Sequence, residues 1–512
     1  MLDQASIQRL TSMSVAAFGA AISSTFPLSV IFAQQDIAGA FSVTSQDVGW
    51  VVTLYNVGQI LGLPIAFLFS GLLGRRRAMM AAGIGYILSS LLIVIIDNFA
   101  TMLILRVFQG AFAGMLPILM FIILFSTHPA GIIRTRGLTY FATATATAIG
   151  VGISAWFGSL FLYNENWRLL FIVPALGIIV YVVMAHFLFR EDPIKPEAFK
   201  LFDWPGYILI SMSLACLVIF VSEGERHFWF DSWWITACLV NAILFFIFAL
   251  YHFIKHDQAL LKKSIFYKPF SYGLIFQVVF RFGSLFIIWI IPQFLIQLAG
   301  FRIEQIAEVL WPFTFGTLIG LVVAYMLSPR IDQRIVMSVA LAILAFTSLY
   351  CSYSTSQWAI DDFLLPIFIA GLGQGLFSLA TLHLVLYDIL PVEGPTCGIG
   401  FNYARVLGLS GGIGVLSHFI NEREKLHSAM LGENVHSQSE ETLSTLSSIQ
   451  ASLSQFFSDP GRLDAVSYAQ LSQHVKTQAF ALSYNDAFLL VFVVLFIASA
   501  CVWIFPHSKA IY

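Results

Sequence analysis

Apolar runs recur along almost the whole chain, broken by short polar segments. Fourteen of them come close to or exceed the roughly 20 residues that carry a helix across a bilayer. They lie at 13–33, 48–70, 78–96, 101–125, 137–162, 167–189, 205–223, 232–254, 271–297, 308–327, 335–354, 363–390, 399–420 and 487–506. None has the strict polar–apolar alternation of a barrel strand, and backbone groups in hydrocarbon must bond within their own segment, so each is expected to be helical. The first run could pass for a signal peptide, with Ala38, Gly39 and Ala40 as a formal cleavage site. It is too long for a signal core and many similar runs follow, so it reads as a retained span. The pattern predicts an all-α integral membrane protein with 14 transmembrane helices.

Composition agrees. Of 512 residues, 58% are hydrophobic and 11% charged, where soluble proteins carry about 25% charge. A soluble interior has no room for that much apolar surface. The net charge is −2 and the longest basic run is Arg75, Arg76 and Arg77, which excludes nucleic acid as a partner. The five cysteines, Cys216, Cys238, Cys351, Cys397 and Cys501, lie in or beside apolar runs without a CxxC pair. They read as packing residues, not as a disulfide frame or metal site. No catalytic motif, metal set or cofactor motif is present, so no cofactor is expected and the chain does not read as an enzyme.

Basic residues set the expected orientation. With the N-terminus inside, the inner segments hold sixteen Lys and Arg residues, while the short outer loops hold Arg168, Arg226 and Arg302. Both termini are therefore expected in the cytoplasm. Residues 421–486 form one extended polar segment on the outer side, with Leu443, Leu446, Ile449 and Leu453 at helical spacing. They suggest a soluble hairpin over the outer mouth, or a docking surface for a periplasmic partner.

Several ordered motifs carry a resemblance. Trp50 to Tyr55 open the second span. Arg106, Gln109 and Gly110 form an RxxQG pattern, with Gly114 and Pro117 after it. Asn166, Trp167, Arg168 and Phe171 precede Pro174 and Gly177. Asp203, Trp204 and Gly206 start the seventh span. Asn402, Arg405 and Gly408 lie in the thirteenth, and Gln478, Ala479, Asn485, Asp486 and Phe488 lead into the last. Together they resemble the fourteen-helix drug:proton antiporter branch of the major facilitator superfamily, the EmrB- and QacA-like group, over nearly the whole chain.

That resemblance implies two six-helix bundles around a midplane cavity that open alternately. The N-terminal bundle would span 1–190, two extra helices with linkers 191–270, and the C-terminal bundle 271–420 and 487–512, with 421–486 as a long periplasmic loop. It further implies a bacterial inner-membrane exporter, the proton as coupling ion, and a membrane-fusion protein with an outer-membrane channel as partners. The segment Gly74, Arg75, Arg76 and Arg77 corresponds to the family's gating loop. Three departures touch coupling. No acid precedes Pro27 in the first span, Gly71 stands where the family has an Asp, and residues 154–159 lack the family's proline.

Charges at membrane depth cost several kcal/mol and mark function by default. Three arginines fall there: Arg106, Arg281 and Arg405. Arg405 could pair with Asp388 or reach the cytoplasm, whereas Arg281, in mid-span beside Gln277, is expected to face a cavity. No Asp or Glu falls clearly in a core, and Glu223, Glu308 and Asp388 sit near span ends. His383, Asn56, Gln59, Gln109, Gln277 and Asn402 complete the candidate substrate and coupling residues. Their bland reading is helix packing. Three arginines without a core acid favour a small amphipathic or anionic substrate over a lipophilic cation. The alternatives are an exporter of lipophilic cationic drugs and a transporter-like sensor or scaffold that has lost coupling.

Overall fold

The computed structural model describes residues 4–44, 46–128, 132–145, 156, 160, 167–256, 259–262, 269–386, 389–390, 393–435, 439–457 and 459–505. Among them, eleven helices are long and apolar enough to cross a membrane. Three of the fourteen expected spans are not in that set. The first lies in one continuous helix, α1 (Gln4–Phe32). The fifth is described mainly as α6 (Ile132–Thr145). The thirteenth lies in a long helix rich in glycine and polar residues, Gly394–Asn434.

The first group of helices comprises α1, α3 (Trp50–Leu73), α4 (Arg75–Ile95), α5 (Phe99–Thr127), α6 and α7 (Leu169–Leu188), with the short α2 (Gln34–Phe41) at the rim. Glycines set its closest contact. A Cβ on Gly58 would sit 2.1 Å from the Val107 carbonyl oxygen, and one on Gly110 would sit 2.1 Å from that of Tyr55. Without side chains there, α3 and α5 touch backbone to backbone, as small residues permit between membrane helices. Asn98 caps α5 by accepting from the Thr101 N–H at 3.1 Å.

α8 (Glu197–Leu201) links this group to the pair α9 (Trp204–Glu223) and α10 (Trp233–Lys255). Asp203 caps α9 through the Gly206 N–H at 3.0 Å and also holds His252 at 2.8 Å and the Leu260 N–H at 2.8 Å. On α10, Ile235, Ala242 and Ala249 are buried at intervals of two turns, with Phe253 beyond them. Ile243, Leu244, Ile247 and Phe248 stay exposed. One stripe of α10 therefore packs on α9, and the rest is suited to lipid.

The second group comprises α11 (Pro269–Leu285), a π-turn (Phe286–Ile290), α12 (Ile291–Gln297), α13 (Ile303–Leu327), α14 (Gln333–Cys351), α15 (Ile360–Leu386), α16 (Gly394–Asn434), α17 (Glu440–Leu453) and α18 (Pro460–Cys501). The π-turn falls immediately before Pro292, which cannot donate to the ladder. The glycine device of the first group recurs here. Cβ atoms on Gly316 and Gly371 would lie 2.2 and 2.5 Å from the Phe368 and Phe313 carbonyl oxygens. α3/α5 and α13/α15 thus hold corresponding places in the two groups, as internal repeats would.

α16 and α18 contain 41 and 42 residues. At 1.5 Å per residue each is roughly 60 Å long, about twice a bilayer's hydrocarbon core. Residues 421–434 and 460–486 therefore continue the two spans as helix, with α17 folded back on α18. Gln450 Nε2 donates to Asp464 at 2.9 Å, and Arg423 and His427 both meet Asp486, at 2.6 and 2.7 Å.

Candidate functional site: a cavity between the helix groups

A cavity of about 60 Å3 lies where the two groups face each other. From α3 it is lined by Val52, Tyr55, Asn56 and Gln59, whose spacing of three and four residues puts them on one helix face. α1 contributes Ser23, Ser24 and Ile31, α5 Arg106 and α6 Thr145. α11 contributes Arg281, and α16 Arg405, Val406, Leu409 and Ile413.

Its electrostatics are dominated by three guanidinium groups. Arg106 is anchored to the first group: Nε donates to the Val51 carbonyl at 2.9 Å and Nη1 to Gln109 at 2.6 Å. Gln109 in turn donates to Ser90 at 2.7 Å. The Tyr55 ring lies 4.4 Å below the guanidinium carbon, a cation–π contact that offsets part of the burial cost. Among the described residues, Arg106 Nη2 is left without a partner, as are Nε and Nη1 of the buried Arg281. Arg405 reaches Ser24 across the cavity with both terminal nitrogens at 3.5 Å, and Asp388 lies outside the described residues. None of the lining residues described is an acid.

The other candidates lie elsewhere. Gln109 stands one layer behind Arg106. Gln277 is buried, one turn from Arg281, but does not line the cavity. Asn402 donates to the Gly398 carbonyl of its own helix at 2.9 Å. His383 meets Ser328 at 3.1 Å on the far side of α15. The structure thus brings Asn56, Gln59, Arg106, Arg281 and Arg405 together and leaves four candidates in the packing. Tyr55, Ser23, Ser24 and Thr145 were not singled out by sequence, because nothing in an apolar run marks which face meets a cavity.

Contacts cross the cleft at both ends of the cavity. Toward the end bearing Arg75–Arg77, Phe121, Phe141 and Phe401 stack edge to face and Arg134 Nη1 donates to the Ile389 carbonyl at 2.7 Å. Toward the opposite end, Asn56 donates to Ser410 at 3.0 Å. A 60 Å3 space holds about two waters, while ligand sites run to hundreds of Å3. A substrate therefore needs the two helix groups to move apart.

At the basic end, Gly74 adopts φ +80°, and a Cβ there would meet the Asp192 Cβ at 2.5 Å. Arg75 donates its backbone N–H and Nε to Asp192, both at 3.0 Å, while Arg76 and Arg77 pair with Glu191 at 3.3 and 3.1 Å. The Arg75 hydrogen bond holds the Asp192 carboxyl below its ordinary range. The carboxylates that hold this basic turn come from beyond α7, more than a hundred residues away in the chain. Most of residues 154–159 lie outside the described residues.

A chain of membrane-length helices in two related groups, with a cavity between them, has a secondary-transporter architecture. The chain belongs to the Major Facilitator Superfamily, whose family model matches residues 13–415. It is a multi-pass membrane protein of a transporter family, not an enzyme. It is 23% identical to the multidrug export protein EmrB of Haemophilus influenzae, over 89% of this chain and 87% of that protein. It is 22% identical to the fatty acid resistance protein FarB of Neisseria gonorrhoeae, over 91% and 90%. The fold is like that of the proton:xylose symporter XylE, with a TM-score of 0.57 at 13% identity over 99% and 97% of the two chains.

Proposed function

We propose that this chain exports small amphipathic anions from the cytoplasm and couples the export to proton movement. One observation carries the substrate class. Three arginines face the cavity and, among the described residues, two of them keep buried N–H groups without partners and no acid lines the space. Unpaired buried charge costs several kcal/mol. A carboxylate, sulfonate or phosphate entering between Arg281 and Arg405 would relieve that cost and the repulsion between the two cations. Guanidinium suits the task because it grips such groups in a bidentate fork. The apolar wall of Ile31, Val406, Leu409 and Ile413 would take the hydrocarbon part. A fatty acid, the class in the name of one relative, has this chemistry.

The architecture in this reading has fourteen spans: bundles at 1–190 and at 271–420 with 487–512, and the extra pair within 191–270. The protein sits in a bacterial inner membrane with both termini inside. The projecting α16–α18 hairpin is the surface for a membrane-fusion protein and, through it, an outer-membrane channel. Surrounding lipid meets the exposed apolar faces.

The test uses a host lacking its own efflux pumps. Expression should raise tolerance to laurate and taurocholate more than to ethidium. Arg281→Gln should abolish the gain, and Arg281→Lys should retain part of it. Tolerance chiefly to ethidium, or full activity of Arg281→Gln, would refute the anion reading.

A further inference from the structure

The turn joining α9 to α10 holds a carboxylate that the cavity does not use. Glu223, the last residue of α9, has a fully buried side chain. It accepts a hydrogen bond from Thr53 of α3 and pairs with Arg226 at 3.1 Å. Arg226 packs against Gly49, where a Cβ would lie 1.7 Å from Nη1, so the glycine makes room for the guanidinium. Two residues on, Glu225 reaches the second helix group, holding His418 at 2.6 Å and accepting from Asn421 at 3.0 Å on α16. One short turn therefore ties both groups together at the end of the cleft opposite Arg75–Arg77. Thr53 is one helical turn beyond Asn56, which lines the cavity.

We propose that Glu223 is a protonation site that latches this end of the cleft: ionised, it holds the α9–α10 turn on α3, and protonated, it lets the turn go. A buried carboxylate is tolerated only while paired. A proton taken from water on this side cancels the charge on Glu223. Arg226 keeps its own protons and is already 32% exposed, so it can turn into solvent. When the turn redocks, the proton returns to water and the ion pair reforms. Few other charged groups bear on the site among the described residues. Glu225 is taken by His418 and Asn421, His227 packs against the rings of Trp50 and Trp234, and Asp47 near the start of α3 is held by Thr44 at 2.6 Å. The proposal rests on the alternating-access reading but not on the substrate.

The test measures opening without substrate. Spin labels go on Ala100→Cys and Tyr353→Cys, at this end of the two groups, after replacement of the five native cysteines. Purified full-length protein in lipid nanodiscs is compared over a series from about pH 8 to about pH 4, which passes below the ordinary glutamate pKa of about 4.3. The unsubstituted latch should give a longer label distance at low pH. Glu223→Gln should give the long distance throughout. Thr53→Val, which keeps the acid but loosens its hold, should open at a higher pH. Infrared difference spectra over the same series should contain a protonated-carboxyl band that Glu223→Gln removes. An unchanged distance on acidification, or a Glu223→Gln protein that still switches and keeps the band, would overturn the proposal. Failure of anion export with the pH switch intact would instead fault the substrate reading alone.

Discussion

Gly110→Ala tests how the cavity is positioned. The new methyl would lie 2.1 Å from the Tyr55 carbonyl oxygen and 3.0 Å from its carbonyl carbon. Ordinary contact begins at 3.4 Å, so α3 and α5 must separate by about 1.3 Å locally. The obstacle is helix backbone, which cannot rotate aside as a side chain can. Overpacking usually costs about 1–3 kcal/mol, and this site belongs at the upper end. The displacement falls on Tyr55 and Gln59, which line the cavity, and on Arg106, which sits over Tyr55. Purified protein should therefore unfold several degrees lower in a thermal scan followed by tryptophan fluorescence, and export should fall by more than expression does. Gly39→Ala is the control, because a Cβ there meets nothing within 4 Å. It should be neutral or slightly stabilising. A Gly110→Ala protein with wild-type midpoint and export would refute the claim that backbone contact sets the cavity.

Three further outcomes are expected. Asp192→Asn should loosen the Arg75–Arg77 segment by at most about 1 kcal/mol, since both partners are partly exposed. Because the Asp192 pKa is depressed in the fold, its contribution is present above about pH 4 and lost as pH falls further; a chemical-denaturation series that gives parallel pH profiles for Asp192→Asn and wild type would contradict it. His383→Gln should leave substrate profile and export intact, because His383 bonds Ser328 and not the cavity; a changed resistance pattern would place it on the pathway. A cysteine at the exposed Ser447→Cys should react with an impermeant maleimide in intact spheroplasts; labelling only after lysis would reverse the proposed orientation.

Much of the helix layout was legible because bilayer length and hydropathy are local properties. The second span, expected at 48–70, is the helix Trp50–Leu73, and the ninth, expected at 271–297, runs Pro269–Gln297 through its π-turn. The long outer segment was less legible. Its polarity suggested a separate loop, but polar residues extend a helix as well as apolar ones once it leaves the hydrocarbon. Within the site, Arg281 stood out because a mid-span charge has few places to go. Ser24, Tyr55 and Thr145 did not, because a helix apolar on every side conceals its cavity face. The partner of Arg75 was hidden by distance in the chain, since Asp192 lies in the segment that follows α7. Glu223 looked peripheral for a similar reason. A span-end acid is ordinarily wet, and only the docking of its turn on α3 removes it from water.

The central claim is that the arginine-lined cavity carries anions, and reconstituted transport tests it most directly. Purified protein in liposomes with an imposed proton gradient would be offered labelled taurocholate, an amphipath that stays ionised and crosses bilayers poorly, or labelled tetraphenylphosphonium, a lipophilic cation. The account predicts gradient-driven taurocholate movement that Arg281→Gln abolishes, and no cation movement above empty liposomes. Cation transport that survives Arg281→Gln, with taurocholate left unmoved, would contradict it.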